Sequence, residues 1–273
     1  MPPQVLSREQ QLLFKQIREA LLGDAQELRS SALESLAQDP GQHQLVPFFV
    51  EFANDQVTHH LKDIKVLSGV VALIGALNEN PNVILELYVR GQCCSPWDLV
   101  CARAAVGPLP LPSPPPRSFP FGTRFSPSLP PPPSQLHQLM PPLLTCVVGK
   151  RLGREGNDAH WTLRRESAQV VAGLCRQHSA RYAELQSRVL KTMLSSLLDK
   201  TKPLSTHYGA SVCFAAFGPR VVDKFLVVNL PPYFKIWESK RHTEPEAAEH
   251  VKDALQVRLC RDGPRAVACL GSR

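Results

Sequence analysis

Residues 158–178 read DAHWTLRRESAQVVAGLCRQH, and residues 203–217 read PLSTHYGASVCFAAF. In the first stretch Trp161, Leu163, Ala168, Val170, Val171 and Leu174 fall near one face of a 3.6-residue helix, while Arg164, Arg165, Glu166 and Gln169 fall away from it. The second, opened by Pro203 and carrying Tyr208, Gly209, Ala210 and Ala215–Phe217, repeats that pattern about 43 positions later. Between them, past a turn at His178–Ser179, Tyr182, Leu185, Val189, Leu190, Met193, Leu194 and Leu197 hold helical register. A second echo runs alongside: Phe217-Gly218-Pro219-Arg220-Val221-Val222 returns as Asp262-Gly263-Pro264-Arg265-Ala266-Val267. Helices with one apolar face and self-similarity at about 40–47 residues predict stacked helix pairs of the HEAT or armadillo kind. Each pair buries one side of itself and needs the next.

Toward the N-terminus the same grammar continues. Ser7 and Gln10 form a capping box, after which Leu12, Leu13, Phe14, Ile17, Leu21 and Leu22 follow at helical spacing until Gly23. Asp24 is placed to cap a second helix carrying Leu28, Ala32, Leu33 and Leu36, ended by Asp39-Pro40-Gly41. A second pair spans roughly residues 44–77. Its later helix, with Ile64, Leu67, Val70, Val71, Ile74 and Leu77, is almost wholly apolar and is predicted to be the most buried element. Asn80-Pro81 begins a third pair with Val83, Ile84, Leu85, Leu87 and Tyr88.

There the pattern breaks. From about Val89 to Gln135 helical periodicity vanishes and prolines crowd residues 108–133, a composition that predicts polyproline II or disorder. At Leu136 it resumes with Leu139, Met140, Leu143, Leu144, Val147 and Val148, where Pro141-Pro142 predicts a kink or a helix start. Pro, Leu, Ser and Phe are encoded by codons that begin with two pyrimidines, and a pyrimidine tract ending in CAG precedes a splice acceptor. Val89-Arg90 is compatible with a splice donor and Gln135 with that CAG, so one reading of the segment is a translated in-frame intron. The other is a Pro-rich ligand for SH3 or WW domains, with PxxP-like stretches such as Pro112-Ser113-Pro114-Pro115. The resulting organisation is HEAT repeats one, two and the start of three over residues 5–88, and a disordered Pro-rich insertion over 89–135. The rest of repeat three through repeat five, with a terminal cap after Asp262, occupies 136–273. The fold class is all-α, a HEAT solenoid of about five helix pairs.

The net charge of +7 permits contact with nucleic acid or acidic proteins without requiring it. The eight cysteines include no CxxC pair and read as reduced thiols used as small apolar residues. Charged residues interrupt the first twenty positions, so no signal peptide is expected there, and no apolar run is long enough to span a bilayer. The expected compartment is cytosolic or nuclear. No P-loop, GxGxxG, HExxH, GxSxG or zinc-finger spacing occurs, so neither catalytic residues nor a cofactor or metal is implied. Adjacent His59 and His60 would point about 100° apart on a helix and cannot easily share one ion. His160 beside Trp161 reads as capping or packing. Lys150, Arg151, Arg154, Arg164 and Arg165 form a loose basic cluster, the candidate interaction surface. Asp158 and Arg164, six apart, are placed to pair along the ridge of the solenoid.

Four short motifs then point one way: Leu6-Ser7-x-Glu9-Gln10-Gln11, Asp39-Pro40-Gly41, Asn80-Pro81-x-x-x-x-Glu86-x-Tyr88 and His160-Trp161-x-Leu163-Arg164. In this order they resemble the C-terminal HEAT domain of the TBP-associated factor 6 family, nearest its 6-like branch in PCAF/SAGA histone acetyltransferase coactivators. The resemblance covers residues 5–88 and 136 onward. It implies five HEAT repeats, a nuclear location and a scaffold role among SAGA/PCAF or TFIID-like subunits, with acetylation left to another subunit. Family members carry an N-terminal histone fold; this chain opens just upstream of the HEAT domain, so histone-fold pairing is not expected of it. His207 stands where the repeat would place an arginine like Arg164, and the Pro-rich segment splits the third repeat. A basic, nucleic-acid-binding helical solenoid is the second reading.

Overall fold

The computed structural model describes residues 6–83, 85, 135–153, 158–180 and 182–262, all in helices, turns and short connections with no strand among them. Ser7 caps α1, Arg8–Leu22, through the reciprocal bonds of a capping box, and Gly23 ends it by donating to Glu19 O. α2, Gln26–Gln38, starts without a side-chain cap. Asp24 does not supply one, because Ala25 takes the cap position and Asp24, one residue too early, bonds Lys65 Nζ at 2.9 Å instead. Asp39 accepts from Gly41 N to open a 3₁₀ turn, Pro40–Leu45, that leads into α3, Val46–His59. Asp63 caps α4, Ile64–Glu79.

The later helices are α5 (Gln135–Val148), α6 (Ala159–Gln177), α7 (Ala183–Leu198) and α8 (Leu204–Phe217). A short turn, Pro219–Val221, then runs through a π-helical segment, Val222–Val227, into α9 (Val228–Lys240), and α10 covers Pro245–Asp262. Pro231 and Pro232 lie inside α9 and cannot donate to the preceding turn, which accounts for the widened winding upstream. α5 runs through Pro141 and Pro142 rather than starting there.

Two layers result. α2, α4, α6, α8 and α10 pack side by side in chain order, each on the next. The odd-numbered helices cover them, α3 against α5 and α7 against α9, with hairpin contacts α1 on α2, α3 on α4, α5 on α6, α7 on α8 and α9 on α10. The spacing of the sequence suggested Trp161–Leu174 and Tyr182–Leu197 as one pair, but the extensive contacts join α5 to α6 and α7 to α8. A repeat period carries no phase, and each helix inside a solenoid has a neighbour on both sides.

One core cluster runs through all ten helices, from Ile17 to Leu255, including Trp161, Val171 and Leu190. The most buried helix is α8, not α4: ten of its fourteen residues are buried against nine of sixteen in α4. α8 touches α5, α6, α7, α10 and the π-helical segment, so polar Thr206, His207 and Ser211 lie inside along with the apolar residues. Of the stretch expected as polyproline or disorder, residues 89–135, Gln135 is instead the first residue of the helix that runs to Val148, and 89–134 lie outside the described residues, as do the terminal cap at 263–270 and the echo at 263–267.

Candidate interaction edge

The loops that join odd to even helices fall along one edge of the stack, and long-range bonds stitch each to the next. Lys65 Nζ donates to Asp24 Oδ1 at 2.9 Å, linking the α3–α4 and α1–α2 connections. Gly153 N donates to Leu61 O at 3.1 Å; Gly153 has φ +78°, and a Cβ there would collide with Ile64, so only glycine lets these loops meet. Thr206 Oγ1 donates to Val148 O at 3.1 Å, and Leu204 N to Glu244 Oε2 at 2.7 Å. Lys240 Nζ bonds Lys202 O.

Beneath this edge lie side chains that end the odd helices. The last carbonyls of a helix have no partner within it and carry the negative end of its dipole. Arg29 Nη2 donates to Leu21 O at 3.0 Å and Gly23 O at 3.1 Å, closing α1. Arg164 donates from Nη1 to Val147 O at 2.6 Å and from Nη2 to Gly149 O at 2.7 Å, closing α5. His207 Nε2 donates to Asp199 O at 3.1 Å, closing α7. On the opposite edge Asn80 Nδ2 donates to Leu36 O and Asp39 O at 2.7 and 2.8 Å, closing α2.

The predicted basic cluster is therefore not one surface. Lys150 and Arg151 are exposed on the α5–α6 loop. Arg164 is fully buried, which removes it from any surface; two carbonyls rather than Asp158 receive its guanidinium. Burial lowers its pKa to about 10, and at neutral pH it remains a cation held by the end of α5. Arg165 is exposed but turned toward α8, its Nη2 donating to Tyr208 Oη at 3.3 Å. Arg154 lies outside the described residues. Asp199, between the α7–α8 and α5–α6 loops, is held below the usual carboxylate range by hydrogen bonds from Thr201 and, more weakly, by Lys202 and Lys150.

Sequence reasoning did not find the aromatic contact across α6, α8 and α10. Trp161 packs edge-on to Tyr208 at 4.9 Å and at a 31° tilt to His250 at 4.4 Å, with His160 edge-on to it at 4.1 Å. Burial pushes the His160 pKa down to about 4, so it is a neutral packing group at pH 7. Tyr208 repeats the position of Arg165 43 residues on, a signal that was present; nothing in the sequence ties Trp161 to His250.

Two stacked layers of antiparallel helices with repeating end-closures define a HEAT-repeat α-solenoid. The chain belongs to the family described as the TAF6 C-terminal HEAT repeat domain, which it matches over residues 3–103 and 133–231. It is 35% identical over 257 residues to the SAGA complex/transcription factor TFIID complex subunit Taf6 of Schizosaccharomyces pombe, covering 92% of this chain and 46% of that protein. It is 32% identical over 243 residues to transcription initiation factor TFIID subunit 6 of Arabidopsis thaliana, covering 89% of this chain and 36% of that one. The 6-like subunit of Mus musculus matches at 26% over 238 residues, covering 86% of this chain and 31% of that one. The chain thus spans less than half the length of these relatives. The solved TAF6 C-terminal domain from Antonospora locustae shares the fold, with TM-score 0.60 at 23% identity, covering 92% of this chain and 98% of that one.

Proposed function

We propose that this chain is a non-catalytic scaffold segment of a SAGA/PCAF-type, TFIID-related histone acetyltransferase coactivator, acting in the nucleus through contacts with other subunits. The observation that carries this reading is how its buried and half-buried polar groups are used. Arg29, Asn80, Arg164 and His207 are all committed to closing helix ends. Such an interior stiffens a solenoid and leaves its loop edge and layer faces for partners. Lys150 and Arg151, with Arg165 on the even layer, are the exposed cations offered to an acidic partner surface. Affinity purification of the tagged full chain from nuclear extract, followed by mass spectrometry, tests this reading. Recovery of coactivator subunits is expected; recovery of none contradicts it.

Exposed Lys150 and Arg151 also keep a nucleic-acid-binding solenoid in play, although the burial of Arg164 takes one cation out of that patch. That reading requires binding to DNA or RNA that falls steeply as salt rises. No binding at low salt removes it.

A further inference from the structure

Asn80 closes α2 with its amide, and its carbonyl oxygen begins another element. Asn80 Oδ1 accepts from Asn82 N at 2.9 Å, Pro81 follows directly, and Val83 N donates to Asn80 O at 3.2 Å. A side-chain acceptor, proline at the first helical position and a first-turn bond make up a helix start. Pro81 and Asn82 form only a turn, however, and the next described helix is α5, which opens at Gln135.

The link between the two is a backbone bond. Leu136 N donates to Leu85 O at 3.3 Å. If residues 89–135 are left out and Tyr88 is joined to Leu136, Leu136 becomes the fourth residue after Leu85. That is the spacing of an α-helical backbone bond. In the same numbering the buried residues Leu85, Leu136, Leu139, Met140 and Leu143 fall at i, i+4, i+7, i+8 and i+11, a single helix face. Gln135 fits its place less well: it is 6% exposed, and no described residue hydrogen-bonds its Oε1.

We propose that residues 89–135 are an insertion in the third repeat, and that in the chain without them residues 81–88 join Leu136–Val148 as one continuous helix that completes this repeat. The register matters as much as the removal. One residue more or fewer at the junction turns everything after it by about 100° and takes Leu139, Met140 and Leu143 off the face that α3 and α6 cover.

The test compares the full chain with three deletions, 89–135, 89–134 and 89–136, by thermal unfolding and amide hydrogen exchange. The 89–135 deletion is expected to melt above the full chain, with the Leu136 amide exchanging as slowly as those of α4. Both frame-shifted deletions are expected to melt below the 89–135 deletion. If the 89–135 deletion melts below the full chain, or if all three deletions melt alike, the single-helix proposal is overturned. Each of these outcomes is independent of which proteins the chain binds.

Discussion

Arg164 and His207 occupy the same position in successive even-layer helices, and each donates to the carbonyls that end the odd helix before it. One is a guanidinium bridging two carbonyls and the other a neutral imidazole reaching one. The repeat conserves the task within this chain rather than the residue. Arg29 performs it again for α1, and Asn80 does so for α2 on the other edge.

Replacing Arg164 with Leu is expected to destabilise the chain by roughly 2–4 kcal/mol, since it takes the donor from the buried Val147 carbonyl and from the half-buried Gly149 carbonyl. Arg164→Lys should recover less than half of the loss, because one ammonium cannot reproduce the two-pronged geometry. Urea denaturation midpoints measure both. Equal stability of the Lys variant and the original would show that charge alone suffices there.

Glycines sort by what a methyl group would meet. A Cβ on Gly209 would overlap the Val147 carbonyl, the same group that Arg164 holds, so Gly209→Ala is expected to cost about 1–3 kcal/mol or more despite better helix propensity. On Gly75, inside α4, a Cβ would rest 3.5 Å from Val170 Cγ2, an ordinary contact. Gly75→Ala should therefore stabilise the chain by up to about 1 kcal/mol. Melting curves for the two variants should move in opposite directions.

Burial holds the His207 pKa at about 4, below the 6.5 of an unperturbed imidazole. The folded chain thus takes up this proton later than the unfolded chain as pH falls. The stability involved is complete above about pH 6.5, is lost between pH 6.5 and 4, and is lost no further below that. The total is on the order of 3 kcal/mol. His160, also lowered to about 4 by burial, titrates in the same window. His207→Gln should flatten the fall in stability between pH 6.5 and 4 without abolishing it, as read from denaturation at several pH values.

Cys146, Cys175 and Cys213 are buried free thiols whose pKa values burial raises, the first two to about 12. Alkylation at pH 8 followed by peptide mapping should leave these three unmodified in the native chain and modify them once urea unfolds it.

At the transcript level, the proposed interruption predicts messenger RNA in which the Tyr88 codon runs directly into that of Leu136. Sequencing reads across this junction check it. Transcripts that always include the segment would contradict an intron origin.

The helices and their ends were largely legible in the sequence because their signals are local: the Ser7–Gln10 box, Gly23, Asp39-Pro40-Gly41, Pro203 and the apolar spacing of Trp161–Leu174. Burial followed where the apolar face decided it. What escaped depended on neighbours distant in the chain. Arg164 looked like a surface cation until the end of α5 and Gly209 of α8 were beside it, and Asp24 looked like a cap until Lys65 was beside it. α8 outranks α4 in burial because five elements surround it, which its mixture of Thr, His, Ser and Gly gives no hint of. The pairing of α5 with α6 could not be read from spacing, since a period of helices fits either phase.

Native-state hydrogen exchange of the full chain, resolved by peptide, tests the stacked-layer account most directly. If α4, α6 and α8 are the shared interior of one solenoid, their amides should exchange last and at a common rate, while α1 and α10, each with a neighbour on one side only in the stack, open earlier. Exchange from α6 and α8 as fast as from α1 would mean that no such interior exists.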